Sequence, residues 1–150
     1  SGGNYNLFIG EDAGNDVTTA DANVALGYQA FDQATDDCDQ NVAIGAHALG
    51  GNIASNDVNN CVAIGYSAMS GVLTNTAGGS VGIGQTALAA LTSGTGNTAV
   101  GFQAGTALIG GARNTAIWHN CDRKICSCRP HNWCEEYSPW VSNIRCYDSR

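Results

Sequence analysis

The sequence predicts an all-β fold, a repetitive β-solenoid, over residues 1–117. Three observations lead to this prediction. One short phrase recurs at nearly constant intervals along this part of the chain. In each copy, residues that alternate as in a strand lead to a glycine. Large apolar side chains are scarce, so burial must come from close backbone stacking rather than from a thick core.

The recurring phrase reads N-[VTL]-[AGF]-[IVL]-G-x-x-A, and six copies contain both the glycine and the alanine. The glycines are spaced 17, 18, 20, 19 and 17 residues apart. Such a period indicates stacked units, each of which can bury its apolar edge only against its neighbours. The predicted structural residues are the glycines Gly10, Gly27, Gly45, Gly65, Gly84 and Gly101 and the alanines Ala13, Ala30, Ala48, Ala68, Ala87 and Ala104.

Each position of the phrase has a physical interpretation. Alternating residues such as Val42 and Ile44 share one face of an extended segment. The glycine permits a positive φ or a close backbone approach, and the alanine marks a place where only a methyl group fits. Asp21 and Asp39 each precede an asparagine by two residues, which suits a turn that leads into a strand.

The phrase resembles two related groups of repeats, and Val42-Ala43-Ile44-Gly45 and Thr98-Ala99-Val100-Gly101 carry the likeness best. These groups are the phage tail-fibre repeat of the type NTAIGxxA and the head repeat of trimeric autotransporter adhesins. The resemblance covers residues 6–117. It implies a left-handed parallel β-roll in an intertwined homotrimeric fibre, located on a virion or at a cell surface. The period of 17–20 residues is longer than that of adhesin heads, which favours the fibre.

Charge is placed unevenly along the chain. Residues 1–112 contain nine acidic residues and no lysine or arginine, whereas all six basic residues lie from Arg113 onward. Contact with phosphates requires cations, so nucleic acid is not an expected partner. No apolar run approaches the length of about 20 residues that spans a bilayer, so we expect no membrane insertion.

The sequence predicts no enzyme and no cofactor. The segment Gly82-Ile83-Gly84-Gln85-Thr86-Ala87 matches a dinucleotide-binding fingerprint, but Gly84 and Ala87 already belong to the repeat. No acidic residue follows at the distance at which such a site holds a ribose. We expect His47 to be exposed, and no recognisable base accompanies a serine or cysteine nucleophile in residues 1–117.

The sequence contains one weak metal candidate and two cysteines in the repeat region. Asp37 and Asp39 have the opening spacing of a calcium loop, and Asp36 adjoins them, but glycine and glutamate are missing from the later positions. We expect solvated acidic turns there. Cys38 and Cys61 differ by about three positions in phase, so a disulfide between them is not favoured.

Composition changes abruptly after residue 117, which defines a second segment, 118–150, expected to be irregular. This segment has no Gly, Ala, Thr or Leu, but it contains all three Trp and five of the seven Cys. A zinc site or disulfide knot is conceivable, although the cysteine count is odd and no C-x-x-C pair is present. Our main hypothesis is an out-of-frame continuation of the repeat. Trp118 stands where glycine is due. With one choice among the degenerate codons, a shift of one base lets Trp133–Trp140 read G-A-R-N-T-A-L-G, a close match to Gly111–Ile117.

The predicted function, which the resemblance implies, is that of a structural and receptor-binding segment of a phage tail fibre or a similar surface adhesin. The connecting stretches 31–40, 50–60, 70–79 and 88–96 are the expected contacts with a host surface glycan or protein. The repeat already runs by Asn6, so we expect the chain to be a piece of a longer fibre protein.

One alternative is a monomeric solenoid that binds ice or another surface. It would show an outward row of Thr, whereas the slots taken to face outward hold Asn, Cys and Ser. A polysaccharide-degrading tailspike is the other alternative.

Overall fold

The structure is a computed structural model that describes residues 3–34, 37–51, 53 and 58–117. These residues belong to the first of two units of the chain, Ser1–Trp118; the second, His119–Arg150, lies outside the described residues. The predictions for segment 118–150, including the out-of-frame hypothesis, therefore remain predictions.

The described residues form an all-β structure, a parallel β-solenoid of about six turns. Each turn, called a coil below, contributes one three-residue strand to a single sheet in chain order. The elements are β1 (Leu7–Ile9), β2 (Val24–Leu26), β3 (Val42–Ile44), β4 (Val62–Ile64), a 3-10 helix (Asn75–Ala77), β5 (Val81–Ile83), β6 (Thr98–Val100) and β7 (Thr115–Ile117). The β-solenoid expected from the repeat is thus confirmed.

Strand register follows the repeat residue by residue. In the pairing of β2 with β3, Val24 lies beside Val42, Ala25 beside Ala43 and Leu26 beside Ile44. The same slots pair at the other five junctions. Coils of unequal length still align, because the extra residues fall in the connecting stretches between one alanine slot and the next strand. The phrase therefore sets the register, and the connections absorb the variation.

The core is narrow and combines small residues in the strands with larger ones in the connections. The middle residue of β2, β3, β4 and β6 is a fully buried alanine, and the repeat alanines from Ala30 to Ala87 are also fully buried. Larger buried side chains fill the remaining space. Some directly follow the repeat alanine and others lie farther along the connections: Phe31, Leu49, Met69 and Leu88 are of the first kind, and Ile53, Val58, Leu73 and Leu91 of the second. In β5 the middle residue is Gly82, where a Cβ atom would lie 2.8 Å from Cγ of Met69. This contact accounts for the additional glycine of the dinucleotide-like segment without any nucleotide.

The six repeat glycines form one column, called the glycine column. Their φ angles lie between 123° and 134°, a region that residues with a Cβ atom rarely adopt. A Cβ atom on Gly45 would also lie 2.8 Å from the carbonyl carbon and oxygen of Gly65 in the next coil. Both the backbone conformation and the approach of the next coil therefore require glycine.

Three further slots of each coil have left-handed backbone, mostly at residues other than glycine. The residue directly before each strand, such as Asn41, is called the strand-entry residue. The three left-handed slots are the residue before the strand-entry residue and the second and fourth residues after the column glycine. In the third coil these are Gln40, His47 and Leu49, with φ of 60°, 57° and 50°. The N–H of His47 bonds to the Tyr28 carbonyl of the coil before, whereas the N–H of Leu49 bonds to the Ala68 carbonyl of the coil after. The N–H groups of the left-handed residues thus bond to the coil before and to the coil after. These hydrogen bonds offset the free-energy cost of the left-handed conformation.

We predict that Gly45→Ala lowers the free energy of unfolding by about 3 kcal/mol or more, because it combines backbone strain with a backbone clash. Gly79→Ala is the matched control: its φ is 70° and nothing lies within 4 Å of a Cβ atom placed there. The control should cost only roughly 1 kcal/mol, the strain of a left-handed alanine. Urea unfolding followed by circular dichroism measures both, and equal losses would contradict the stacked glycine column.

Candidate functional site

The sheet presents an apolar surface to the outside, called the outer face. It consists of the first and third residues of every strand, and the middle residues point inward. Neighbouring coils half-bury the central members, whereas Ile9 and Ile117 near the ends are 59% and 64% exposed. The members are Leu7, Ile9, Val24, Leu26, Val42, Ile44, Val62, Ile64, Val81, Ile83, Thr98, Val100, Thr115 and Ile117, with no charged residue among them.

The extent of the outer face makes it a candidate interaction surface. Seven strands at a spacing of about 4.8 Å give a strip roughly 29 Å long from the first strand to the last. A contiguous apolar surface of this kind is uncommon on a monomer and usually marks a binding site. The alternation of these residues is evident in the sequence, but their position on the outside of the sheet is not.

The Asn, Cys and Ser residues of the strand-entry slot do not have the orientation that the sequence predicted. These residues were expected to face outward, but Asn23, Asn41, Cys61, Ser80 and Asn97 are all buried. The reason is the period of two along a strand: the entry residue shares its face with the buried middle alanine, so the Val and Ile residues face outward. The outward row that the ice-binding alternative requires to be Thr is therefore formed by apolar residues, except for Thr98 and Thr115.

The buried entry slot forms a side-chain ladder between coils. Oδ1 of Asn23 accepts a 2.8 Å bond from the N–H of Asn41, and Oδ1 of Asn41 accepts a 2.9 Å bond from the N–H of Cys61. Nδ2 of Asn41 donates to the Val58 carbonyl at 2.8 Å. One asparagine thus satisfies a buried donor and a buried acceptor, which apolar residues could not do. The repeated asparagine has a structural role for this reason.

The acidic residues of the weak metal candidate take part in other bonds. Asp39 accepts a 2.7 Å bond from the N–H of Asp21, and Asp21 accepts from the N–H of Asn4. Asp37 accepts from the Thr19 hydroxyl at 3.2 Å, and Asp36 lies outside the described residues. Within the described part of the chain, no group of three or more His, Cys, Asp or Glu could hold a metal ion. The turns that lead into the strands therefore use their carboxylates to connect neighbouring coils.

The two cysteines of the repeat region are buried thiols that are not joined to each other. Cys61 occupies the entry slot, and its Sγ lies 3.7 Å from the carbonyl oxygens of Asn59 and Ala77. Burial raises the pKa of the Cys61 thiol, opposed by bonds from the backbone N–H groups of Ser80 and Gly79. A buried neutral thiol is an inert core residue rather than a nucleophile.

His47 is not the exposed residue that the sequence predicted. It is half-buried, with its ring at right angles to two tyrosines of the neighbouring coils. The ring centroids are 5.3 Å apart for Tyr28 and 5.9 Å apart for Tyr66. We call these three residues the aromatic row. The repeat did not reveal it, because the tyrosines occupy the first slot after the column glycine and the histidine occupies the second.

Asp32 has a partly buried carboxyl whose surroundings shift its pKa. Its Oδ1 is buried and has no hydrogen-bond partner within the described residues. Burial raises the pKa of Asp32, an effect that its backbone N–H bond and His47 oppose and that Asp16 and Asp12 reinforce. An ionised Asp32 therefore destabilises the fold.

The connecting stretches expected to contact a host also supply part of the core. Among their described residues, Phe31, Cys38, Val58, Leu73 and Leu91 are buried. Residues 35, 36, 52 and 54–57 of these stretches are not among the residues that the structure describes. No helix in the described part of the chain is long and apolar enough to cross a membrane. Comparison with models of protein families, with curated proteins and with solved structures gives no significant match.

We predict that Asn41→Ala destabilises the fold by about 2–4 kcal/mol, because it leaves the buried Cys61 N–H and Val58 carbonyl without these partners. Asn15→Ala is the control, since Asn15 is exposed and its side chain bonds to the adjacent Asp16. The control should change stability by less than about 0.5 kcal/mol. Thermal unfolding compares the two variants, and a negligible loss in Asn41→Ala would contradict the ladder.

We predict that Asp32→Asn stabilises the protein at neutral pH and that this gain disappears in acid. The folded-state pKa lies above the ordinary value of 3.8, so the folded chain binds the proton more tightly. Stability from this group is complete below the unfolded pKa and is lost as pH rises through the folded pKa. Melting temperatures between about pH 3 and pH 7 test this.

The control for this experiment is Glu11→Gln, since Glu11 is exposed and is not among the groups that shift the pKa of Asp32. This variant should leave in place the pH dependence that Asp32 confers. A gain in Asp32→Asn that is the same at both ends of the pH range would show that ionisation of Asp32 is not its cause.

Proposed function

We propose that this chain is a structural and receptor-binding segment of a fibre, such as a phage tail fibre or a similar surface adhesin, and that it functions as a homotrimer. The observation that carries the proposal is the outer face. A single coil stack leaves this apolar strip in contact with water along its whole length. Packing against identical strips removes the apolar area from water, at about 25 cal/mol per Å².

The repeat suits a fibre because its slots are the same in every coil. Chains stacked in parallel and in register would meet with Val, Leu and Ile at each level, so the contact extends for as many coils as the chain contains. The finer features of the proposal are the left-handed β-roll and the intertwining of three chains. The resemblance of the phrase N-[VTL]-[AGF]-[IVL]-G-x-x-A to tail-fibre repeats supports them.

The proposed fibre would attach to its host by presenting binding surfaces. A stiff rod of stacked coils holds its connecting stretches at fixed heights, and three chains would offer three copies of each contact. Linked copies convert weak individual contacts into stronger overall attachment to a host glycan or protein. A virion or cell-surface location follows from the same proposal. The acidic surface of residues 1–112, which has no lysine or arginine, matches a partner other than nucleic acid.

The proposal predicts a wild-type mass in light scattering of three times the chain mass of 15.4 kDa. Ile44→Lys places a charge at the centre of the outer face and should reduce the mass toward that of one chain, because burial of the charge opposes packing. Val72→Lys is the control, since Val72 is exposed and lies outside the outer face. It should leave the mass unchanged.

The wild-type measurement decides the question even if Ile44→Lys fails to fold. A wild-type chain that stays monomeric at all accessible concentrations would overturn the homotrimer and favour the monomeric surface-binding solenoid. A mass that Ile44→Lys and Val72→Lys alter equally would show that the outer face is not the contact.

A further inference from the structure

The aromatic row is the most unusual surface feature outside the outer face. Tyr28 and Tyr66 occupy the same slot two coils apart and are 45% and 54% exposed. The residue of that slot in the coil between them is Ala46, and the ring of His47 stands between the tyrosine rings. The three rings thus contact one another in succession across three coils.

The three rings of the aromatic row are not part of the buried core. The core at this level is completed by Ala48 and Leu49, which are fully buried. Large apolar rings left half in water give up part of the free energy that burial would provide. His47 makes an edge-to-face contact with each tyrosine ring, which restrains both rings while about half of each tyrosine stays exposed. Rigid, half-exposed aromatic rings are a common feature of binding surfaces.

The polar residues around the row indicate the chemistry of its ligand. The same two slots in neighbouring coils hold exposed Glu11, Asp12 and Gln85 and half-buried Gln29 and Ser67. Their amide, carboxylate and hydroxyl groups can donate to or accept from a ligand rich in hydroxyls. Residues 1–112 contain no lysine or arginine, so an anionic ligand would meet no countercharge there.

We propose that the aromatic row binds a neutral saccharide chain. A pyranose ring has an apolar face of C–H groups that can pack on an aromatic ring. Its hydroxyl groups project from the edge of the sugar ring, where polar residues around the row can bond to them. The proposal rests on the proposed function, because it names the class of surface glycan that the fibre meets and places the contact on the coils themselves rather than on the connecting stretches.

The spacing of the row supports an extended saccharide rather than a single sugar. Consecutive coils rise by about 4.8 Å, the spacing of strands in a sheet. The centroids along the row are separated by 5.3 and 5.9 Å, about the length of one sugar unit. A chain of two or three units that runs along the coil stack would therefore have one unit near each ring.

Titration calorimetry of the full chain tests this proposal. The probes are neutral hexasaccharides of glucose, mannose, galactose and N-acetylglucosamine, with a heparin hexasaccharide as the anionic comparison. We expect binding to at least one neutral probe and none to heparin. Tyr28→Ala and Tyr66→Ala should each weaken that binding about tenfold, the loss expected for one ring contact. Neither position has a positive φ, so alanine adds no backbone strain there.

Two further variants sharpen the result. Phe102→Ala removes an aromatic ring of the same slot that is 50% exposed and has no ring partner among the described residues, so it should leave affinity unchanged. His47→Asn removes the central ring but keeps a residue type that tolerates its φ of 57°, and it should also weaken binding.

Three results would overturn the proposal: no binding to any neutral probe, equal losses in Tyr28→Ala and Phe102→Ala, or a change of mass in Tyr28→Ala in the absence of saccharide. The last would show that the row is a contact between chains. These results are distinguishable from failure of the fibre proposal, because a trimeric wild type that binds no saccharide keeps the fibre and loses only the glycan site.

Discussion

Hydrogen bonding between successive coils is the constraint on which the rest of this structure depends. The strands are only three residues long, so no coil can satisfy its own backbone or bury its own side chains. Each coil relies on the one before and the one after, through backbone bonds and through asparagine side chains that continue the same pattern inside the core. The backbone conformation of the phrase therefore repeats from coil to coil.

Close stacking explains the composition of the chain. Glycine is required where φ is positive and the next coil lies within contact distance, as at Gly45, and alanine is used where the interior is only wide enough for a methyl group. The large core residues that directly follow a repeat alanine, such as Phe31 and Met69, adopt left-handed backbone, and their N–H groups bond to the next coil. Local conformational cost is accepted because the inter-coil bonds offset it.

The same narrow interior leaves the larger apolar residues of the strands on the outside. Val and Ile are good strand formers, but the inner face accepts alanine, so they form the outer face. Self-association would then supply the apolar burial that one chain lacks. The aromatic row is a second surface on which apolar groups remain in water, and it differs from the outer face in having polar neighbours and rings in edge-to-face contact.

The amino-acid sequence by itself determined the period, the strands, their register and the glycine and alanine slots, because each depends on local spacing that repeats. It did not determine which strand face points inward, since Asn41 and Ala43 alternate with Val42 and Ile44 in either arrangement. Only the tertiary structure decided this, because the inward asparagine is bonded by the next coil. The aromatic row was likewise invisible in the sequence, because Tyr28, His47 and Tyr66 become neighbours only when coils of different length are stacked.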